Sequence, residues 1–171
     1  MKIVHISLKP ESLATTYNVA QYARTLDGFQ LNIVNPNPAD IIRLKHVMQK
    51  IEFIYQLKPA VLTDLKAYFN RYTTQLDDLK SIDHFLIDSS EGKGIVANID
   101  TIINTKTFME KLGFTQNSFG FAGGLSALNL DQFNALLPFY SIDAESQLRT
   151  NNKLDKGKLQ AYLKKAITLI L

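Results

Sequence analysis

The sequence predicts an α/β fold of six βα units on a parallel sheet, and two observations support this. Six mostly apolar runs contain β-branched and aromatic residues without polar alternation, which is typical of strands buried on both faces. Segments with helical spacing separate these runs at intervals of roughly 20 to 35 residues, the size of one βα unit. The predicted strands are IVHISL from Ile3, GFQLNIV from Gly28, EFIYQL from Glu52, DHFLIDS from Asp83, SFGFAGG from Ser118 and YSIDAES from Tyr140.

Helices are predicted between the strands. The first lies in ESLATTYNVAQYARTL, where Leu13, Tyr17 and Ala20 recur at helical spacing. The second begins with Asn37 as a cap and Pro38 at the first helical position, which the fixed φ of proline favours. Four more follow, the third of which ends at Pro138 because proline breaks helices; their segments are LTDLKAYFNRYTTQ, TKTFMEKLG, LDQFNALLPF and GKLQAYLKKAITLIL.

Length and composition predict one cytoplasmic domain over residues 1–171. The chain of 171 residues is 46% hydrophobic, which is enough for a sizeable core. It contains no cysteine, which excludes disulfides, thiolate zinc sites and a cysteine nucleophile. The start has only a short apolar run, and no segment reaches the roughly 20 apolar residues that span a bilayer. We therefore expect no secretion signal and no membrane partner.

The charge pattern and the spacing of the histidines limit the kinds of partner and ligand that the sequence predicts. The net charge is +3, but the lysines are scattered rather than clustered, so we expect no nucleic acid partner and favour a phosphorylated small molecule. His5, His46 and His84 lie far apart with no partner at a metal-binding spacing. The sequence therefore predicts no metal site and no cofactor.

Asp88 ends the fourth predicted strand, just before a loop that contains Gly92 and Gly94. Ligands and catalytic groups gather at the carboxyl ends of parallel strands, so Asp88 is a candidate catalytic residue. An aspartate at this position is as often a helix cap or a loop organiser, and the sequence leaves both roles open.

Gly123 and Gly124 end the fifth strand in SFGFAGGLSALNLDQF, and a helix follows shortly. Paired glycines allow main-chain N–H groups to turn toward a phosphate beside a helix N-terminus. A tight turn between a strand and a helix has the same requirement, so both interpretations stay open.

Asp143 and Glu145 stand two residues apart in the sixth strand and share one face of it. Paired carboxylates can perform acid and base catalysis. The nearby Arg149 favours an ordinary solvated ion pair instead, and such pairs contribute little stability.

In order and spacing, these segments resemble phosphoribosylanthranilate isomerase, the (β/α)8 enzyme of tryptophan biosynthesis. KIVHISLKPESL resembles the third strand, LDGFQL the fourth, IDHFLIDSSEGKG the sixth, FAGGLSALNLDQF the seventh and SIDAESQLRTNNKLD the eighth. The resemblance covers essentially the whole chain and implies a partial or modified TIM-barrel-like parallel sheet. A complete barrel takes about 250 residues, so eight units do not fit. The alternative is a flattened doubly wound sheet.

The resemblance assigns roles to five residues. Asp88 matches the general acid that protonates the ribose ring oxygen in the family's Amadori rearrangement. Gln30 and Asp143 match substrate-binding residues, while Gly123 and Gly124 match the phosphate-binding loop. The resemblance therefore implies a phosphorylated sugar-type ligand at the strand carboxyl ends.

The sequence also departs from the family. The first two βα units are absent, and with them the first-strand cysteine that is the general base and a second-strand arginine. Asn32 stands at a histidine position, Tyr55 at a lysine position, and residues 145–147 replace the last phosphate loop. We expect impaired isomerase activity, because losing a proton-transfer group typically costs about 100- to 10,000-fold in rate.

Two other functions stay open. One is a non-catalytic interaction or structural protein that retains the scaffold. The other is a different sugar-phosphate isomerase or lyase that uses Asp88 with Glu145 or His5 as its base. Fold alone does not choose among them.

The strand count also predicts an assembly. Six parallel strands leave two unpaired edges, so we expect a homodimer whose contact involves the first strand IVHISL or the last strand and its helix. Closure into a narrow six-stranded barrel would crowd the residues that the family register directs inward. These are Phe29, Phe53, Tyr55 and Phe85.

Overall fold

The computed structural model describes residues 3–6, 27–32, 38–48, 50–71, 79–90, 93–96, 98–115 and 118–170. The chain forms two compact units, Met1–Leu86 and Ile87–Leu171. All six predicted strands are confirmed, as β1 (Ile3–Ile6), β2 (Gly28–Leu31), β3 (Glu52–Leu57), β4 (His84–Asp88), β5 (Phe119–Ala122) and β6 (Ser141–Asp143). The first predicted helix and the predicted cap Asn37 lie outside the described residues.

The first unit is built on parallel strands. β2 pairs in parallel with β1 and with β3, so that Val4 lies opposite Phe29 and Phe29 lies opposite Phe53. The second predicted helix is confirmed as α1 (Pro38–Val47). Phe29, Leu31 and Phe53 are fully buried, as the continuous apolar pattern of these strands requires.

The helix predicted in LTDLKAYFNRYTTQ begins three residues later than predicted, as α3 (Leu65–Asn70), and a separate short helix, α2 (Pro59–Leu62), precedes it. Asp64 separates them and caps α3, because its Oδ1 accepts a hydrogen bond of 2.8 Å from the Ala67 amide. A capping side chain satisfies an N–H group that has no partner within the helix, which favours a new start at this point. The end of the predicted helix falls on residues 72–78, outside the described part of the chain.

The large aromatic side chains of β2 to β4 face the helices, which corrects the expectation that they point inward. The Lys45 ammonium of α1 lies 5.6 Å from the centre of the Phe53 ring. The hydroxyl of Tyr55 lies 2.9 Å from that of Tyr68 on α3, and Tyr55 also packs edge-on against Phe85. Because side chains alternate along a strand, the opposite face presents Gln30, Ile54 and Gln56. The predicted crowding of aromatic rings therefore does not arise for Phe53 or Tyr55.

The second unit contains the end of β4, then α4 (Ile99–Lys111), β5 and β6, and ends in α5 (Lys156–Ile170). β5 and β6 are parallel, with Ala122 opposite Asp143. α4 begins before the predicted TKTFMEKLG, because Asn98 caps it by accepting a hydrogen bond of 3.2 Å from the Thr101 amide. Between β6 and α5 lie a 3-10 turn, η2 (Ser146–Leu148), and a hairpin of β7 (Arg149–Thr150) with β8 (Lys153–Leu154).

The helix predicted in LDQFNALLPF is a 3-10 helix, η1 (Leu130–Leu136), rather than an α-helix. Phe133 of η1 stacks on Phe121 of β5 with ring centres 4.8 Å apart, and Phe139 meets the same ring edge-on at 4.9 Å. The apolar spacing predicted a helix in this segment, but it did not predict the tighter 3-10 backbone that accompanies the packing around Phe121.

α5 confirms the last predicted helix and is amphipathic. Tyr162 and Ala166 are buried, while Lys156, Lys158 and Lys164 are exposed. Asp155 caps the helix, with its Oδ1 3.1 Å from the Lys158 amide, and this hydrogen bond lowers the pKa of Asp155. Among the described residues, no helix has the length and apolar character needed to cross a bilayer.

Candidate functional site

Asp88 lies at the carboxyl end of β4 and is 6% exposed. Its Oδ1 accepts hydrogen bonds from the amide of Ser90 at 2.9 Å and from the Ser90 hydroxyl at 3.0 Å. Such contacts two residues ahead organise a turn. The structure therefore shows Asp88 as a loop organiser, and its role as a catalytic acid stays a prediction.

Gly94, in the segment after β4, lies against η2. A Cβ atom on Gly94 would lie 2.8 Å from Ser146 Oγ, and the residue has a positive φ of 68°. The Nε2 atom of Gln147 donates a hydrogen bond of 2.8 Å to the Gly94 carbonyl oxygen. Only glycine permits this approach without displacing Ser146. Gly92 lies outside the described residues.

Gly124 lies directly against the main chain of the segment that follows β4. A Cβ atom on Gly124 would lie 2.7 Å from the carbonyl group of Ile95 and from the amide nitrogen of Val96. Its φ is 59°, and that of Gly123 is 116°. Both glycines are buried. Close packing of two main chains thus accounts for the glycine at 124, whether or not a phosphate binds at its amide.

Asn129 fixes the loop that contains these glycines. Its Nδ2 donates a hydrogen bond of 2.9 Å to the Gly124 carbonyl oxygen, and its Oδ1 accepts one of 2.8 Å from the Ser126 amide. The side chain is 9% exposed. Sequence reasoning missed this residue, and although it precedes η1, its side chain makes no capping hydrogen bond to that helix.

The carboxylates after β6 differ in their surroundings. Asp143 is exposed at the end of β6. Glu145 accepts a hydrogen bond of 2.8 Å from Arg149, and their side chains are 73% and 41% exposed. The ion pair favoured from the sequence is therefore present, and at this exposure it contributes little stability.

A cavity of about 560 Å³ lies beside this ion pair, a volume within the usual range of small-molecule sites. It is lined by Glu145, Ser146, Arg149, Asn151 and Asn152, all of which have polar side chains. Asn151 and Asn152 have positive φ values of 52° and 61° and form the two-residue turn of the β7–β8 hairpin. The Asn-Asn pair between short β segments was an available sequence signal for this turn.

Gln30 lies in the first unit, on the face of the sheet opposite the aromatic residues. Its Nε2 donates a hydrogen bond of 3.3 Å to Gln56 Oε1. Gln56 is 5% exposed and was not identified from the sequence. The second unit contains the other predicted site residues, which are Asp88, Gly123, Gly124 and Asp143.

The histidines form no metal centre in the described part of the chain, where no group of three His, Cys, Asp or Glu side chains is placed to hold a metal ion. His46 is exposed on α1. His84 Nε2 lies 3.5 Å from a carboxylate oxygen of Glu52. Burial lowers the pKa of His84, although Glu52 and Asp83 oppose the shift. The side chain of His5 lies outside the described residues.

Solved structures match nearly the whole chain. The dimeric phosphoribosylanthranilate isomerase of Thermotoga maritima, as mutually generated monomers, has a TM-score of 0.62 at 15% identity, over 97% of this chain and 72% of the isomerase. The chain has the fold of part of a phosphoribosylanthranilate isomerase. The isomerase of Thermus thermophilus gives a TM-score of 0.63 at 18% identity, over 98% of this chain and 72% of its own.

A third phosphoribosylanthranilate isomerase, in complex with reduced 1-(o-carboxyphenylamino)-1-deoxyribulose 5-phosphate, gives a TM-score of 0.61 at 16% identity, over 97% of this chain and 71% of its own. These matches confirm the partial TIM-barrel-like α/β fold and favour it over the flattened doubly wound sheet. At such identities they show the fold alone. No protein-family model matches the sequence, and no curated protein matches it.

Proposed function

We propose that this chain binds a phosphorylated sugar-type ligand at the carboxyl ends of the strands in its second unit. One observation supports the proposal most strongly: the segments that follow β4, β5 and β6 meet there. Gly94 contacts Ser146, and the main chain at Ile95 contacts Gly124. In barrels and open α/β sheets, ligands bind where such loops converge beyond the carboxyl ends of the strands.

The proposed contacts follow the chemistry of each group. The amides of Gly123 and Gly124 would hold the phosphate, since main-chain N–H groups bind anions without a charged side chain. Asp143 would accept hydrogen bonds from the sugar hydroxyls, and Asp88 would face the reacting end of the ligand. Glu145 opposes a dianion nearby, so we expect weak phosphate affinity while its charge is present.

We propose further that isomerisation by the Amadori route is impaired. That route needs an acid at the ring oxygen and a base at the C2 carbon. Asp88 is a candidate for the acid, but the 171 residues contain no cysteine to serve as the family's general base. Expression of the chain in a tryptophan-requiring strain that lacks this isomerase tests the proposal, and growth near the wild-type rate would contradict it.

Amide NMR signals test binding directly. Inorganic phosphate and ribose 5-phosphate at millimolar concentration should shift the signals of Gly123 and Gly124 and saturate. The amide of Gly157, exposed in the first turn of α5, provides a control for non-specific effects. If the two loop signals do not move with either probe, the phosphate site is absent.

A non-catalytic scaffold is the second candidate, and the packing of Gly124 favours it. The main chain at Ile95 and Val96 covers the Cα atom of Gly124, so the glycine has a structural purpose without any ligand. This candidate predicts a loop that responds to no sugar phosphate.

We also propose a homodimer, one cytoplasmic domain over residues 1–171, and no nucleic acid or membrane partner. Leu163 and Ile167 support the homodimer, because they lie one turn apart on α5 with exposed fractions of 50% and 55%. The pairing of lysines with acidic residues weighs against a polyanion site. Lys45 pairs with Asp83, Lys106 with Glu110 and Lys165 with Asp131.

A further inference from the structure

The polar cavity of about 560 Å³ in the second unit is formed by the segment from η2 to the β7–β8 hairpin. The described residues that line it include neither Gly123 nor Gly124, whose amides form the proposed phosphate contact. The cavity is therefore a different place from that contact. Its volume admits a small organic molecule.

The guanidinium group of Arg149 is fixed from two directions at this cavity. Its Nη2 donates a hydrogen bond of 2.8 Å to Glu145 Oε1, and its Nη1 donates one of 3.0 Å to the carbonyl oxygen of Asn152. A guanidinium has five N–H donors, so these two bonds with described residues leave three for a ligand. Because the planar group is already held, a ligand that binds to it costs little further side-chain freedom.

The other lining residues supply acceptors and neutral donors. Arg149 occupies Oε1 of Glu145, which leaves Oε2 of this carboxylate as an acceptor. Ser146 adds a hydroxyl group, while Asn151 and Asn152 add carboxamides that both donate and accept hydrogen bonds. The cavity therefore offers one positive group, one negative group and several neutral polar groups.

The adjacent opposite charges select the kind of ligand. A simple anion beside this pair is attracted by Arg149 and repelled by Glu145, so the two energies nearly cancel, and the same holds with reversed signs for a simple cation. A zwitterion can place its carboxylate against the guanidinium and its ammonium against the carboxylate, so that both interactions are attractive. In an α-amino acid the two charged groups are joined through one carbon, which suits a pair of side chains 2.8 Å apart.

We propose that this cavity binds a free α-amino acid in its zwitterionic form. Arg149 binds the carboxylate of the ligand, and Glu145 accepts a hydrogen bond from its ammonium group. The ammonium has three N–H donors, and the side-chain oxygens of Ser146 and Asn151 accept the other two. The site goes beyond the proposed phosphate binding and does not depend on it, because it uses no glycine amide.

Side-chain NMR of the full chain tests the site with L-alanine as the probe. L-Alanine should cause saturable shifts in the Nε–H signal of Arg149 and in the NH2 signals of Asn151 and Asn152. Sodium propionate and ethylammonium chloride, which each have one of the two charges, should cause much smaller shifts at the same ionic strength. The exposed Asn70 of α3 is the internal control and should not respond. If L-alanine causes no saturable shift, or if either single-charge probe binds as tightly, the proposal is wrong.

Two substitutions test the assigned contacts. Arg149→Gln and Glu145→Gln should each weaken the binding of L-alanine about tenfold, the effect of one lost hydrogen bond between charged groups. Lys106→Gln and Glu110→Gln are the matched controls, because they remove the same charges from another ion pair four residues apart, on α4. Both controls should leave the affinity unchanged.

Stability and a second ligand keep the outcomes distinct. Both site variants should unfold at the wild-type urea midpoint, because an exposed ion pair contributes little stability. Glu145→Gln keeps the hydrogen bond from Arg149 to Asn152, so it still tests binding if Arg149→Gln alters the hairpin. For ribose 5-phosphate the phosphate proposal expects Glu145→Gln to bind more tightly, so the two proposals can fail separately. Unchanged affinity for L-alanine in Glu145→Gln would overturn the amino acid site.

Discussion

Gln147 and Gly94 join two segments that are far apart in the sequence: Gln147 Nε2 donates a hydrogen bond of 2.8 Å to the carbonyl oxygen of Gly94, a residue 53 positions earlier. The same segment continues to Ile95 and Val96, whose main chain lies against Gly124. The loops after β4, β5 and β6 are thus held together by a side-chain hydrogen bond and by close main-chain packing, and substitutions at these positions test both the fold and the site.

Replacement of Gly124 by alanine should destabilise the protein by about 1–3 kcal/mol, because the new Cβ meets the main chain of Ile95 and the positive φ is strained. The measurement is the free energy of unfolding in urea. Gly157→Ala is the control, since its Cβ would have ordinary contact with Asp155, and it should have no effect or stabilise slightly. Equal stability of both variants would contradict the described packing.

Replacement of Glu145 by glutamine should strengthen binding of ribose 5-phosphate. It removes a like charge near the proposed site and releases Arg149 from its ion pair. We expect about a fivefold gain, the effect of one unit charge at roughly 4 Å in water. Glu110→Gln, which removes the same charge from the pair with Lys106 on α4, should leave the dissociation constant unchanged. A gain in both variants would indicate net charge rather than a local effect.

His84 should make stability depend on pH. Burial lowers its pKa below the ordinary value of 6.5, so the unfolded chain binds a proton more readily than the folded one. Stability is therefore complete above about pH 6.5 and declines as the pH falls toward the lower pKa of the folded protein. Lys45 adds to this shift, while Glu52 and Asp83 oppose it.

His84→Gln should reduce the loss of unfolding free energy between about pH 7 and pH 5, the range around the ordinary histidine pKa. His46→Gln is the control, because His46 is exposed on α1. A pH profile that is the same in wild type and His84→Gln would show that another group is responsible.

Two tyrosines should respond in opposite directions to loss of their hydroxyl. The Tyr162 hydroxyl is buried and has no hydrogen-bond partner within the described residues, and burial together with Asp143 raises its pKa. Tyr162→Phe should therefore raise the unfolding free energy, by up to about 1 kcal/mol. Tyr68→Phe removes the partner 2.9 Å from the Tyr55 hydroxyl and should lower it by about 1 kcal/mol. Destabilisation by Tyr162→Phe would reveal a partner for its hydroxyl.

The proposed homodimer predicts that α5 contributes to the contact. Light scattering should give twice the chain mass of 19.3 kDa at micromolar concentration. Introduction of lysine at both Leu163 and Ile167 should shift the protein to monomer, since charged residues are depleted at interface cores. Leu128→Lys, at a side chain 95% exposed outside α5, is the control. A stable wild-type monomer would contradict the homodimer.

The sequence by itself determined the strands and the order of the βα units, because local chemistry is sufficient for both. Continuous apolar runs located β2, β3 and β4, and the position of Asp88 at the end of an apolar run placed it at a strand tip. Helix bounds and type were harder: the helix predicted from Leu62 began only after its cap Asp64, and the segment around Phe133 formed a 3-10 helix. Both outcomes depend on side-chain contacts that apolar periodicity does not encode.

Only the tertiary structure decided which way the residues face and what they meet. Strand alternation places Tyr55 and Gln56 on opposite faces of the sheet, but it does not say which face the helices cover. The contact between Tyr55 and Tyr68 on α3 shows that Tyr55 lies on the helix-covered face. Paired glycines allow both a phosphate cradle and close packing, and the approach of Ile95 to Gly124 revealed the packing. Contacts between residues distant in sequence, such as Gln147 with Gly94, exist only once the strands have brought their loops together.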